Sequence, residues 1–170
     1  MLDKKMISLM NNQINKELYS AYLYLDFANF FEAKGLKGFA NWYRVQAQEE
    51  QDHAVIFITY LQNNNARVEL QPIAKPDEKL ESLMDPLKAG LKHEEFVTAS
   101  INEIYAEAEK IKDYRSMQFL DWFVKEQAEE EMEAHELIAK LELLGADNLG
   151  LYTLNNELAG RKYAKQTIEG

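Results

Sequence analysis

The chain has 170 residues, enough for one domain with a substantial core. Its 19 basic residues stand against 29 acidic ones, a formal charge of −10, which argues against nucleic acid or an anionic membrane as main partner and suits cations. The absence of cysteine excludes disulfides, thiolate zinc sites and iron–sulfur clusters.

No apolar run approaches the roughly 18 residues of a membrane helix, and the N-terminus lacks the apolar stretch of a signal peptide. A cytoplasmic protein without a membrane partner is expected. All three prolines, Pro72, Pro76 and Pro86, fall in one window, and residues 1–34, 39–71 and 91–144 contain neither Gly nor Pro. Such stretches predict long helices. Helix A is expected over about Lys4 to Ala33, with an apolar stripe of Ile7, Met10, Ile14, Leu18, Ala21, Leu25 and Ala28. "KGLKG" ends it, with Gly35 suited to the left-handed position after a helix. Helix B follows from about Gly38 to Asn64, its stripe Phe39, Tyr43, Ala47, Ala54, Phe57 and Leu61.

The segment "NNNARVELQPIAKPDEKL" reads as a long irregular connection, the kind that joins two parallel helices of a bundle. Helix C is expected from about Leu80 to Lys110. An unbroken helix over 91–144 would be about 80 Å long, so a break is placed at "KIKDY", with Asp113 as N-cap of helix D. Helix D runs to Leu144, where Gly145 stops it. A short amphipathic segment follows, with Leu151, Leu154 and Leu158 on one side. No strand pattern is present. The expected fold is all-α: a four-helix bundle over about 4–144 with a long B–C crossover, then a short helix over about 149–165, in a single domain spanning 1–170.

Polar residues interrupt each stripe: Glu17 on A, Glu50 and His53 on B, Glu94 on C, Gln127 and Glu130 on D. Glu17 and Glu50 are 33 positions apart, as are Glu94 and Gln127; Glu17 and His53 are 36 apart, as are Glu94 and Glu130. The pattern describes two helical hairpins related by an approximate two-fold. The midpoints of the wider pairs are Gly35 and Lys112, each inside a predicted turn, so all the polar residues sit at one level of the bundle core. Four unpaired carboxylates there, Glu17, Glu50, Glu94 and Glu130, would be costly to bury. Two divalent cations would neutralise them, and oxygen ligands with one imidazole suit iron or manganese. Tyr24, seven residues after Glu17 on the same face, has its hydroxyl within reach of that level. His93 and His135 read as surface or boundary residues.

"NKELYSAYLYL", "AQEEQDHA", "LKHEE", "FLDWFVKEQAEEE" and "GLYTLNNEL" occur in an order and spacing that resembles the bacterial-type non-haem ferritins from end to end. The resemblance implies a ferritin-like bundle with a dinuclear ferroxidase centre that oxidises Fe(II) with O2 or H2O2. Glu17, Glu50 and His53 would hold the first iron. Glu50 would bridge to a second held by Glu94 and Glu130. Gln127 would line the centre, and Tyr24 would contact the first-iron side and supply or relay an electron. A third iron position maps to Glu49, Glu126, Glu129 and Glu130. The resemblance also implies a homo-24-mer shell that stores a ferric oxy-hydroxide mineral, with the C-terminal helix at the four-fold contacts. Gln127-x-x-Glu130 departs from the Glu-x-x-His pair of symmetric di-iron bundles, which disfavours bacterioferritin. No methionine stands where haem would be ligated, so no haem is expected. A scaffold bundle and a different di-metal enzyme, such as a manganese catalase or an oxygenase, remain as alternatives.

Overall fold

The computed structural model describes residues 2–168, which form five helices and no strand. They are α1 Lys4–Ala33, α2 Lys37–Asn63, α3 Met84–Lys110, α4 Tyr114–Leu144 and α5 Asn148–Ala159. None of the described helices is long and apolar enough to cross a membrane. α1 pairs with α2 and α3 with α4 as hairpins, α1 also packs on α3, and α5 lies against α2 and α4.

Asp3 starts α1 by accepting the Lys5 amide at 2.8 Å, and Asp113 starts α4 by accepting from Ser116 N at 3.2 Å. Three helices end in the same way. Leu36 N reaches Phe31 O and Gly35 N reaches Glu32 O, both at 3.0 Å, with Gly35 at φ +76°. Asn65 at φ 55° and Lys112 at φ 59° take the same position after α2 and α3. Each closure satisfies carbonyls that a helix end leaves without a partner. Both hairpin turns thus centre on the two midpoints that the polar spacing picks out.

Two boundaries differ from expectation. α3 begins at Met84 and not near Leu80. The Asp85 carboxylate accepts the amides of Glu81 and Ser82 at 2.8 and 2.6 Å, and Pro86 has no N–H to bond back to Ser82, so the earlier residues stay in a turn. α5 ends at Ala159, not near residue 165. Beyond it Asn41 Nδ2 donates to Leu158 O at 3.2 Å and Arg161 O at 3.0 Å, and the tail turns back along α2.

Residues 64–83 form the crossover, held along α1 by asparagines. Asn11 Oδ1 accepts from Glu69 N at 2.7 Å, and Asn15 Nδ2 donates to Pro72 O at 3.1 Å. These side chains supply the partners that an irregular segment cannot find within itself. On α1 the buried face runs Met10, Ile14, Glu17, Ala21, Tyr24, Phe27, Phe31. Leu25, expected on the stripe, is 40% exposed, because it lies one position round from that face.

The apolar interior is divided. One cluster gathers Phe27, Phe31, Phe39, Tyr43, Leu87 and Leu141 at one end of the bundle. Another gathers Met10, Ile14, Phe57, Leu61, Ile104 and Phe123 at the other. Between them in sequence on each of α1 to α4, and so between them along the bundle, lies the buried polar layer.

Candidate metal centre

The layer consists of Glu17, Glu50, His53, Glu94, Gln127 and Glu130, each at most 5% exposed. Each of the four bundle helices contributes to it, at the matched depth that the spacing predicts. Among the described residues none of the four carboxylates has a Lys or Arg within ion-pair distance. Glu17, Glu50 and His53 bring one ligand atom each to within 4.8 Å of one another, and His53, Glu126 and Glu130 do the same.

The hydrogen bonds hold these groups without neutralising them. Gln13 Nε2 donates to Glu17 Oε1 at 2.8 Å, and Gln46 Nε2 to Glu130 Oε2 at 2.6 Å. Gln127 Nε2 donates to Glu94 Oε2 at 3.1 Å, and the Tyr24 hydroxyl donates to Glu94 Oε1. Glu94 and Glu130 are thereby fixed by neutral donors beside a small hole of about 20 Å³ lined by both and by Tyr24 and Gln46. The Tyr24 hydroxyl is thus held on Glu94, with the Glu50 carboxyl also close enough to raise its pKa. Two turns above Glu17, its ring is long enough to cross to α3.

Other polar atoms have no partner. Glu17 Oε2 and both ring nitrogens of His53 are buried and unbonded. The nearest carboxylate oxygens to His53, Glu50 Oε2 at 3.5 Å and Glu126 Oε1 at 3.9 Å, are too far for hydrogen bonds. A buried imidazole normally finds a partner. Lone pairs left free beside carboxylates of this kind fit an oxygen- and nitrogen-coordinated divalent cation such as Fe(II).

The electrostatics agree. Burial first, then the charges of Glu94, Glu17 and Glu130, push the Glu50 carboxyl well above the usual range. Glu130 is pushed the same way by burial and then Glu94, and Glu94 is raised by burial. Glu17 rises to about 7, mainly through burial, despite the opposing hydrogen bond from Gln13. Burial lowers His53 to about 4, so its imidazole is neutral and available as a ligand at pH 7.

Glu49, Glu126, Glu129 and Glu130 line one cavity of about 140 Å³, together with Glu133, Arg161 and Gln166. Burial and the neighbouring Glu129 and Glu49 raise Glu126 to about 7. Glu129 is the outermost, 54% exposed at its side chain and 3.6 Å from Lys125. His93 is half-buried at the boundary, 2.7 Å from Ser20 Oγ, and His135 is exposed.

Sequence reasoning did not identify Gln13, Gln46 or Arg161. Gln13 stands four residues before its partner Glu17, and that spacing was a usable signal, whereas Gln46 bonds Glu130 on another helix and has no local mark. Arg161 belongs to the tail, and nothing local marks where the tail returns.

A helical bundle whose core is crossed by a carboxylate layer with one free imidazole has the form of a bundle that could hold metal ions in its core. The ferritin-like domain model matches residues 7–144. The chain is 40% identical over 152 residues to a bacterial non-heme ferritin of Campylobacter jejuni, covering 89% of this chain and 91% of that protein. An engineered closed form of the Archaeoglobus fulgidus ferritin superposes with a TM-score of 0.94 at 40% identity, over 96% of this chain and 100% of that one. The open-pore ferritin from that hyperthermophilic archaeon superposes at 0.93, again 40% identical, over 95% and 100%. This chain belongs to the ferritin family, and that membership implies iron binding and supports a role in iron storage.

Proposed function

We propose that the chain is a ferroxidase that stores the iron it oxidises. The observation that carries this reading is the buried carboxylate layer with no basic partner, beside a histidine whose two nitrogens are both free. Fe(II) is the substrate. Glu17, Glu50 and His53 bind one ion, and Glu50 bridges to a second bound by Glu94 and Glu130. Gln13, Gln46, Gln127 and Tyr24 orient those carboxylates, which tunes affinity in the way that groups behind metal ligands do.

Ion binding displaces the protons that burial holds on the glutamates. Each Fe(II) gives one electron to O2 or H2O2, and the iron supplies the redox chemistry. The protein fixes the ion–ion separation and keeps bulk water out between its two apolar clusters. Glu49, Glu126, Glu129 and Glu130 form a third position next to the pair, through which the oxidised iron leaves toward a ferric oxy-hydroxide mineral. No haem takes part.

The mineral is held in a homo-24-mer shell. Supporting this are the apolar side chains that the isolated chain leaves in solvent. Leu149 and Tyr152 on the outer face of α5 are 74% and 64% exposed, and Leu70 and Phe96 are 70% and 52% exposed. Exposed apolar area of this kind marks contact surfaces.

Fe(II) added in air to metal-free protein, with ferric absorbance and particle mass followed together, tests the reading. Rapid ferric absorbance in a particle of about 24 subunits is expected. A small oligomer that oxidises iron no faster than buffer would overturn it and favour a scaffold role.

A further inference from the structure

The tail after α5 places a cation inside the acidic cavity beside the centre. Arg161 Nη2 lies 2.7 Å from Glu49 Oε2 and 3.6 Å from Glu133 Oε2. Its guanidinium carbon sits 4.0 Å from the centroid of the Trp42 ring. The side chain is only 16% exposed, and its Nη1 is buried without a partner. The tail holds it there through contacts with α2. Asn41 Nδ2 donates to Arg161 O at 3.0 Å, and Asp52 Oδ2 accepts from Tyr163 Oη and from Gln166 N, each at 2.8 Å.

The cavity of about 140 Å³ thus has five glutamates, Glu49, Glu126, Glu129, Glu130 and Glu133, and a single basic side chain, Arg161. Glu49 is 7% exposed, and Arg161 supplies its ion pair. A divalent cation that ligates Glu49 meets this guanidinium at close range in a partly desolvated space, where like charges repel strongly.

We infer that Arg161 competes with metal for Glu49, and so sets the affinity of the third position and the order in which the three positions fill. The inference rests on the third position proposed above. The pair in the core binds first, because its glutamates have no basic partner to displace. A third ion binds only as the guanidinium swings off Glu49. Because Arg161 lies on Trp42 and its backbone is tied to Asn41, that swing reports at Trp42 and loosens the tail. An arginine fits this competition better than a lysine would, since its flat fork holds a carboxylate and stacks on an indole together.

The test is anaerobic calorimetry with Zn(II), a redox-inert probe, on full-length metal-free protein. Wild type is expected to bind two ions tightly and a third more weakly. Arg161→Gln removes the charge and is expected to tighten the third ion at least tenfold, leaving the first two unchanged, while Arg161→Lys, which keeps the charge but loses the fork and the stacking on Trp42, falls between Arg161→Gln and wild type. An unchanged third affinity in Arg161→Gln, with the tight pair intact, overturns the inference and leaves the two-ion centre standing. Absence of the tight pair in wild type overturns the centre itself. A second readout does not depend on the arginine variants. In a Trp122→Phe background, Trp42 fluorescence is expected to change at the third Zn(II) equivalent, beyond any change from the first two, since Trp42 also lines the hole beside Glu94 and Glu130. A signal that does not change at the third equivalent overturns the inference.

Discussion

Glu17→Gln gives the most direct energetic test of the buried layer. Glu17 is 1% exposed, and its carboxyl titrates at about 7 in the folded chain against an ordinary 4.5. Between those two values the folded chain keeps a proton that the unfolded chain has lost. Stability therefore falls as pH rises through that window, and the full penalty applies above about 7. It amounts to about 3 kcal/mol. The substituted amide removes this penalty and keeps its contacts. Its carbonyl still accepts from Gln13 Nε2, and its N–H₂ takes the place of Glu17 Oε2, which has no partner in the metal-free chain. The metal-free variant is expected to be more stable than wild type by about 1–3 kcal/mol at pH 8, with the difference shrinking toward zero near pH 4.5. Urea unfolding followed by circular dichroism at the two pH values measures this. With Zn(II) in excess the order reverses, because only wild type has the full ligand set. A metal-free variant no more stable than wild type at pH 8 would refute the claim that these carboxylates are unfavourable without a cation.

Three further substitutions probe other parts of the account. His53→Ala removes the only imidazole in the layer, and rapid ferrous oxidation by stopped-flow absorbance is expected to slow at least tenfold while helix content is unchanged. Glu129→Ala lies at the exposed edge of the third position; the first fast phase should persist, and the stoichiometry or later transfer of iron should change in multi-turnover assays. Gly38→Ala places a Cβ 1.6 Å from Asn155 O, a backbone atom of α5 that cannot give way. α5 is then displaced, and size-exclusion chromatography is expected to show loss of the proposed shell.

The helices and the layer were legible because both depend on periodicity. The repeated separations of Glu17, Glu50 and His53, and of Glu94, Gln127 and Glu130, fixed two hairpins of equal depth, and their midpoints fell on the two residues that turn the chain, Gly35 and Lys112. The start of α3 was misplaced because Leu80 and Leu83 continue the apolar rhythm, while the Asp85 turn and the missing Pro86 N–H decide the matter. The end of α5 was misplaced for a similar reason, since contacts with Asn41 and Asp52 draw residues 160–168 away from helix. Spacing puts Tyr24 at the level of the layer but does not name its partner, Glu94. Spacing along a helix gives depth, and the reach of a side chain to Glu94 on another helix is a tertiary fact. Arg161 was invisible for the same reason: its meaning comes entirely from Glu49 and Trp42, more than a hundred positions earlier.

The buried glutamates of the four helices are proposed to hold paired ferrous ions. Anomalous diffraction at the iron edge, from crystals soaked anaerobically in Fe(II), tests it most directly. Two iron peaks per subunit, about 3.5–4 Å apart, are predicted among Glu17, Glu50, His53, Glu94 and Glu130. Iron found only on surface carboxylates, with His53 still without a ligand, would contradict it.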